Sequence, residues 1–266
     1  MLGAAIVLIA ILAAVLAPLI APYDPLQQNL PEALQGPSAG HWFGQDDLGR
    51  DILSRIIYGT RISLLVGFVT VSISAVSGTI IGAVSGYFGG WVDEIIMRIT
   101  DIMLAFPGIL LAIGIMAILG PSLNNVIIAL CIVGWKSYAR LVRGEVLREK
   151  EREYILAAKA LGYSHWRIIL FHLLPNVLNP VLVMATMGMA SMILSEASLS
   201  FLGLGTQPPT PSWGAMLSDG RQYLLEAAHL TTFPGLAIML LVLGFTFLGD
   251  AVRDALDPHI KDYKEN

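Results

Sequence analysis

Five long stretches of the chain carry no charged residue and consist mainly of apolar side chains. A peptide group without a hydrogen-bond partner is costly in hydrocarbon, so a membrane-spanning segment must be helical and about 20 residues long. Each stretch is long enough to form such a helix. The stretches are Met1–Tyr23, Ile62–Val92, Ile102–Trp135, Ile168–Ser195 and Ala227–Gly249.

The third stretch is too long for one crossing and contains a turn signal. The residues from Gly120 to Asn125 read Gly-Pro-Ser-Leu-Asn-Asn, a composition typical of a turn. Splitting the stretch there predicts six transmembrane helices. The fourth runs from about Asn125 past Lys136 and Arg140, whose long side chains are expected to reach the headgroups. Pro107 is expected to kink the third helix.

These six helices define the predicted organisation of the chain. The first could instead be a secretory signal peptide, but it has no basic region before its apolar core, and its removal would leave an odd number of crossings. The abrupt apolar start leads us to expect a short charged leader before it.

The predicted segments are a first transmembrane helix at 1–23, an extracytoplasmic loop at 24–61, and a core at 62–266 with five helices and a polar loop at about 150–172.

The distribution of basic residues sets the expected orientation. Six crossings place both termini on one side, and half of the 16 Lys and Arg residues lie within 136–167. Because short loops rich in Lys and Arg stay in the cytoplasm, we predict that both termini are cytoplasmic (N-in/C-in). The same side would also hold Arg98, Arg253, Lys261 and Lys264.

The composition excludes several classes of protein. The chain has 55% hydrophobic and 14% charged residues and a mean hydropathy of +0.70, whereas a soluble domain has about 45–50% apolar and about 25% charged residues. A single cysteine, Cys131, rules out a disulfide framework within the chain. The sequence contains no phosphate-binding loop ending in Gly-Lys-Ser/Thr and no H-E-x-x-H motif. We therefore expect no catalytic site, no bound cofactor and no nucleic-acid partner.

Helix two carries small residues at every fourth position, namely Ser74, Gly78, Gly82 and Gly86. Small residues at this interval let two helix backbones approach closely, which matters because lipid provides no hydrophobic driving force between helices. We predict a helix-packing face there. The pattern leaves open whether the neighbouring helix belongs to this chain or to a second subunit.

Ionisable and soft side chains near the membrane suggest a substrate path. Arg98 and Asp101 can pair at i,i+3, but Glu196 has no cation nearby in the sequence and either lines an aqueous path or marks the outer interface. Met187 and Met192 belong to a methionine cluster that can line a path for varied substrates or fill gaps in the core. The predicted path residues are Glu196, Met192 and Met187. The five histidines show no metal-ligand spacing, so no metal site is predicted.

The polar loop at 150–172 predicts two short helices. Tyr154, Ile155, Ala158 and Leu161 follow a helical period, Gly162 suits a left-handed residue at a helix end, and the serine two positions later can cap a second helix. Such a compact knob either sits in a groove of a partner protein or lies on the headgroups.

This loop resembles a known motif. Ala157-Ala158-x-x-x-Gly162 followed by Leu174-Pro175 is similar to the EAA loop of ABC-importer permeases, which docks into the ATPase subunit. The resemblance implies that this loop moves with the ATPase. From the amphipathic hairpin interrupted by glycine, we predict that the residues transmitting the ATPase stroke are Tyr154, Ala157, Ala158, Lys159, Ala160 and Gly162.

A more specific resemblance covers the chain from about Ala21 onward. The segment His41-x-x-Gly44-x-Asp46-x-x-Gly49-Arg50-Asp51-x-x-Ser54-Arg55 is similar to a signature of the dipeptide/oligopeptide/nickel branch of these permeases. Further segments resemble the same branch: Asp93-x-x-x-Met97-Arg98-x-x-Asp101, Glu196-Ala197-x-Leu199-Ser200-Phe201, Trp213-Gly214 and Gly249-Asp250-x-x-Arg253-Asp254-x-Leu256-Asp257-Pro258.

The resemblance implies an all-α membrane protein with the type I ABC importer permease fold in the cell (inner) membrane. It also implies a complex of two homologous permeases, two ATPases that use ATP and Mg, and an extracytoplasmic substrate-binding protein. Peptides are the leading substrate, and nickel or a nickel chelate is the alternative. A secondary transporter working alone would be expected to show paired intramembrane charges or inverted repeats, and neither is evident.

A further uncharged stretch, Ala197–Ser218, is interrupted by Gly and Pro, so we predict the end of helix five followed by a loop. Within the outer segment Thr206–Thr232 we expect a short helix from Trp213 to Leu225. This segment is expected either to meet the binding protein or to lie in the membrane interface as an aromatic anchor.

Overall fold

The computed structural model describes residues 1–256, which form ten α-helices and no β-strand. Asp257, Pro258, Lys261 and Lys264, used above in a motif and in the charge count, lie outside the described residues. The helices are α1 (Leu2–Ile20), α2 (Ile52–Phe88), α3 (Gly90–Ala105), α4 (Gly108–Leu119), α5 (Leu123–Glu149), α6 (Glu153–Ala160), α7 (His165–Ile168), α8 (Leu174–Phe201), α9 (Trp213–Gly220) and α10 (His229–Leu256).

Five of these helical segments are long and apolar enough to cross a membrane: α1, α2, α5, the continuous segment from α7 through α8, and α10. Helices α3 and α4, which bend by 93° at their junction, are together long and apolar enough to count as a sixth span. Pro107 has no amide hydrogen, and it forces Phe106 into an extended conformation with φ −95° and ψ 137°. The kink predicted at Pro107 is therefore a complete break, and the span count agrees with the prediction of six.

The second span begins earlier than the uncharged stretch suggested. Helix α2 starts at Ile52 rather than Ile62, because the carboxylate of Asp51 accepts a hydrogen bond from the amide of Ser54 and caps the helix. The arginine Arg61 does not end the helix, since its guanidinium donates to the carbonyl oxygen of Ala14 on α1. The loop before α2 is correspondingly shorter than predicted.

The small-residue stripe of α2 packs against α5 of the same chain, which settles the question that the sequence left open. A methyl group added at Gly78 would lie 2.5 Å from the carbonyl oxygen of Trp135, and one added at Gly86 would lie 3.0 Å from that of Arg143. At Gly82 an added methyl group would collide with the carbonyl oxygen of Ala139. The two helix backbones therefore touch where a side chain would hold them apart.

Ion pairs connect α3 to α5 and correct one predicted pairing. Arg98 pairs with Glu94, one helical turn away at 2.6 Å, rather than with Asp101. Asp101 instead pairs with Arg140 of α5. Sequence spacing favoured the local partner, but the folded chain brings a second cation to Asp101.

The outer segment after α8 is largely anchored inside the protein. Trp213 at the start of α9 is buried, and its indole nitrogen donates to the carbonyl oxygen of Ile56 at 3.0 Å. It therefore does not serve as the interfacial anchor that was one of the two predicted roles. The predicted helix from Trp213 to Leu225 is realised as α9 followed by a 3₁₀ turn at Arg221–Tyr223.

We expect the substitution Gly82→Ala to destabilise the protein by about 1–3 kcal/mol, the usual cost of forcing extra atoms into a packed interior. Thermal unfolding of the detergent-solubilised protein measures this loss. Gly144→Ala is the matched control, because Gly144 lies on α5 with open space around its Cα. Equal melting temperatures for the two variants would contradict the close α2–α5 packing.

Candidate functional site

The polar loop forms a hairpin of α6 and α7, hereafter the α6–α7 hairpin (Glu153–Ile168). Gly162 adopts φ +77°, a left-handed conformation that favours glycine. The amide of Tyr163 donates to the carbonyl oxygen of Ala158 at 3.1 Å, which closes the end of α6. The hydroxyl of Ser164 accepts a hydrogen bond from the amide of Arg167 and caps α7. Both the predicted glycine turn and the predicted serine cap are confirmed.

The inward face of α6 is narrower than its sequence period suggested. Ile155 and Ala158 are buried against Val146 of α5 and against the segment that leads into α8. Tyr154 and Leu161, which belong to the same predicted stripe, are 41% and 72% exposed. Helix α6 ends at Ala160, so Leu161 no longer follows the helical period.

Five of the six predicted coupling residues share the exposed side of the hairpin, and the sixth, Ala158, is buried against the core. Their surface also includes Leu156 and Trp166, which are 47% and 57% exposed. Small alanine side chains beside large exposed apolar ones form a surface suited to close contact with another protein. The five exposed residues are Tyr154, Ala157, Lys159, Ala160 and Gly162.

The side chain of Tyr154 connects the hairpin to two membrane-spanning helices, α5 and α8. Its hydroxyl donates to a carboxylate oxygen of Glu149, at the end of α5, at 2.7 Å. The same hydroxyl accepts from the side-chain amide of Asn176, near the start of α8, at 3.0 Å. Partial burial and the Glu149 carboxylate raise the pKa of Tyr154 to about 12, so the hydroxyl keeps its proton and remains a donor at neutral pH.

A second feature, hereafter the central cavity, lies among α4, α5, α8 and α10 and has a volume of about 820 Å³. Met187 and Met192, two of the three predicted path residues, line it together with Met184. Lys136 and Arg253 also line it. Lys136 does not reach the end of its helix as predicted, because α5 continues for several turns to Glu149. Its ammonium instead donates to the carbonyl oxygen of Met103 at 2.6 Å. Sequence reasoning did not connect Lys136 or Arg253 with a substrate path.

Glu196 lies apart from the two methionines. Its side chain is fully buried and does not line the central cavity. The hydroxyl of Ser200, one turn further along α8, donates to one carboxylate oxygen at 2.7 Å, and the other oxygen has no partner among residues 1–256. In the isolated chain, Glu196 therefore neither lines an aqueous path nor lies at the outer surface.

Metal-ligating side chains do not gather anywhere in the part of the chain that the structure describes. No group of three or more His, Cys, Asp or Glu residues among residues 1–256 could hold a metal ion. His41 contacts Asp51 at 2.9 Å, but this contact belongs to the loop that leads into α2.

Two protein families match the chain. Residues 78–262 match the family described as binding-protein-dependent transport system inner membrane component. Residues 1–37 match the N-terminal transmembrane domain of oligopeptide transport permease C. The first match covers α3 to α10 and includes both the hairpin and the central cavity.

Curated relatives are similar over nearly the whole chain. The dipeptide transport system permease protein DppC of Alkalihalophilus pseudofirmus is 54% identical, over 94% of this chain and 83% of the relative. DppC of Haemophilus influenzae is 48% identical, over 98% of this chain and 90% of the relative. The glutathione transport system permease protein GsiD of Escherichia coli is 49% identical, over 98% of this chain and 86% of the relative.

A solved structure shares the fold. A chain of the MetNI methionine ABC transporter superimposes with a TM-score of 0.63 and 21% identity, over 77% of this chain and 98% of that chain. An amino acid ABC transporter chain superimposes with a TM-score of 0.58 and 14% identity, over 76% and 94% of the two chains. The fold is therefore that of a type I ABC importer permease. The chain belongs to the family of binding-protein-dependent transport system inner membrane components, the membrane-spanning permeases of ABC importers.

Proposed function

We propose that this chain is a permease subunit that carries di- or oligopeptides across the inner membrane, driven by ATP that separate subunits hydrolyse. Relatives about half identical to it, over most of its length, are named for dipeptide and for glutathione transport. Glutathione is itself a small peptide, so both names belong to one substrate class. The central cavity, with its methionine wall, is the passage that this chain contributes.

The α6–α7 hairpin is the contact for the ATPase in this proposal. The observation that carries it is the hairpin's construction: an exposed apolar surface outside, and buried contacts to α5 and α8 inside. A force on the surface reaches both helices through Ile155, Ala158 and the Tyr154 hydroxyl. Both helices line the central cavity, so a movement of the hairpin moves the walls of the passage.

The proposed assembly contains two homologous permeases, two ATPases with ATP and Mg, and an extracytoplasmic binding protein. The sequence has no phosphate-binding loop of its own, which supports a separate ATPase. The basic segment 136–167 supports a cytoplasmic position for the hairpin and for both termini.

The opposite side of the permease is the proposed contact for the binding protein. The 3₁₀ turn after α9 is followed by Leu224 and Leu225, which are 52% and 102% exposed. Helix α9 holds this tip firmly, because Trp213 at its other end is buried. The reported relatives are named for dipeptide and glutathione transport, so peptides rather than nickel are the proposed cargo.

Reconstitution tests the substrate and the energy source together. In proteoliposomes that contain the chain with its partner permease, ATPases and binding protein, we expect a radiolabelled dipeptide to accumulate only when ATP is supplied to the ATPase side. Liposomes without the ATPases are the control. Peptide uptake that continues without them, or nickel uptake in place of peptide uptake, would contradict the proposal.

Replacing Gly162 tests the hairpin as the coupling element. A left-handed conformation costs an ordinary L-residue about 1–2 kcal/mol, and more when the side chain is β-branched. We therefore expect Gly162→Val to leave the complex assembled but to lower the number of peptides transported per ATP hydrolysed.

Gly162→Asn is the matched control, because asparagine tolerates the left-handed region and the space around Gly162 is open. The Asn variant should transport a near-normal number of peptides per ATP hydrolysed. Normal coupling in the Val variant would refute the assignment.

Tyr154→Phe removes the hydroxyl that joins the hairpin to α5 and α8. Each lost hydrogen bond is worth about 0.5–1.5 kcal/mol. We expect amide hydrogen exchange in α6 to accelerate by on the order of tenfold and the peptide-to-ATP ratio to fall. Tyr163→Phe is the control, because residues 1–256 provide no hydrogen bond to the Tyr163 hydroxyl, while its ring keeps its contact with Arg167 at 4.3 Å. Identical exchange in both variants would exclude this role for Tyr154.

A further inference from the structure

The central cavity is positively charged. Among the residues up to 256 that line it, Lys136 and Arg253 carry charge at neutral pH, and both are cations. Its other polar groups are neutral, and they include the side chains of Ser137, Asn179 and Ser191. A cavity with cations and no described carboxylate attracts an anionic group.

Lys136 is held in place but is not neutralised. It is only 6% exposed, and its ammonium donates to the carbonyl oxygen of Met103. An ammonium has three donors, so two remain for another acceptor. No carboxylate lies within ion-pair distance of Lys136 among residues 1–256. A cation at membrane depth without a counter-ion is costly, and such residues mark ligand pathways.

The basic residues that follow Lys136 along α5 differ from it because they have carboxylate counter-ions. Arg140 pairs with Asp101, Arg143 pairs with Asp93 at 2.5 Å, and Arg148 pairs with Glu145. Each of these cations therefore already has an anionic partner. Lys136 is the basic residue of α5 that lines the cavity, and it has no anionic partner within the described part of the chain.

The part of the cavity wall that α8 contributes is adaptable. Met184, Met187 and Met192 supply flexible, polarisable side chains to the lining of the cavity. The volume of about 820 Å³ falls within the range of about 300–1,000 Å³ typical of ligand pockets. One part of the cavity therefore suits side chains of varied shape, and the other suits a fixed negative charge.

We propose that Lys136 and Arg253 bind the C-terminal carboxylate of the peptide in transit, while the methionine wall accommodates its side chains. This inference rests on the proposed peptide function. A carrier of peptides with different sequences must recognise what they share, and the terminal carboxylate is such a group. Lysine and arginine form charge-assisted hydrogen bonds with carboxylates.

The competing explanation is that Lys136 only caps the end of α3. Lys150 offers a matched control, because its ammonium likewise donates to a helix-end carbonyl, that of Gly86, at 3.0 Å. Lys150 does not line the central cavity. A lysine that only caps a helix should affect every substrate equally, whereas one that binds a carboxylate should affect only substrates that carry it.

The test compares a labelled dipeptide with its C-terminal amide in the complete reconstituted complex. The binding protein is saturated with either the dipeptide or its amide, and its affinity for each of the two ligands is measured separately. The rates are determined for the unmodified complex and for Lys136→Met, Lys136→Arg, Arg253→Met and Lys150→Met. The quantity of interest is the ratio of carboxylate to amide transport, in which the selectivity of the shared binding protein cancels between variants.

We expect Lys136→Met and Arg253→Met each to lower this ratio by about tenfold, the effect of losing one hydrogen bond to a charged group. Lys136→Arg should restore most of it, and Lys150→Met should leave it unchanged. An unchanged ratio in both cavity variants, or equal losses for both peptides, would overturn the carboxylate site. Failure of the unmodified complex to transport either peptide would instead overturn the proposed function.

Discussion

The close approach of α2 and α5 determines where the other functional parts lie. Lipid does not drive helices together by the hydrophobic effect, so their association depends on tight van der Waals contact, which glycine permits. Gly78, Gly82 and Gly86 bring the α2 backbone against that of α5 over more than two turns. Helix α5 then contributes Lys136 to the central cavity on one side, and Glu149 at its end holds the α6–α7 hairpin. A helix pair fixed at backbone contact is a rigid support for both.

Helix α8 is the other connection between the hairpin and the cavity, and it is irregular where it joins them. The segment Ile169–Leu173 between α7 and α8 is π-helical, a local widening that often accompanies function. Pro180 lies inside α8, at the edge of the cavity, and lacks the amide that would bond to the carbonyl of Asn176. Both irregularities lie between the hairpin and the methionine wall. They provide the positions at which α8 can bend when the hairpin is displaced.

The sequence predicted those parts of the structure that depend on local signals. The left-handed Gly162 and the Ser164 cap each follow from the residue itself and its immediate neighbours. Pro107 likewise predicted an irregularity, although as a kink rather than the complete break that the structure has. The sequence could not show that Asp101 pairs with Arg140, which lies 39 positions further along the chain. Nor could it show that Tyr154 and Leu161 lie outside the buried face of α6, or that Lys136 and Arg253 line the same cavity. These facts depend on tertiary packing, which no short-range pattern records.

The break after α3 also provides the hydrogen-bond acceptor of Lys136. The last four carbonyl groups of a helix have no partner within it, and the end of α3 at Ala105 leaves that of Met103 free. Lys136 satisfies this carbonyl, and the hydrogen bond holds its ammonium in place. The same break starts α4 at Gly108, which lines the cavity beside it. One proline thus provides both an acceptor for the lysine and the start of the neighbouring wall of the cavity.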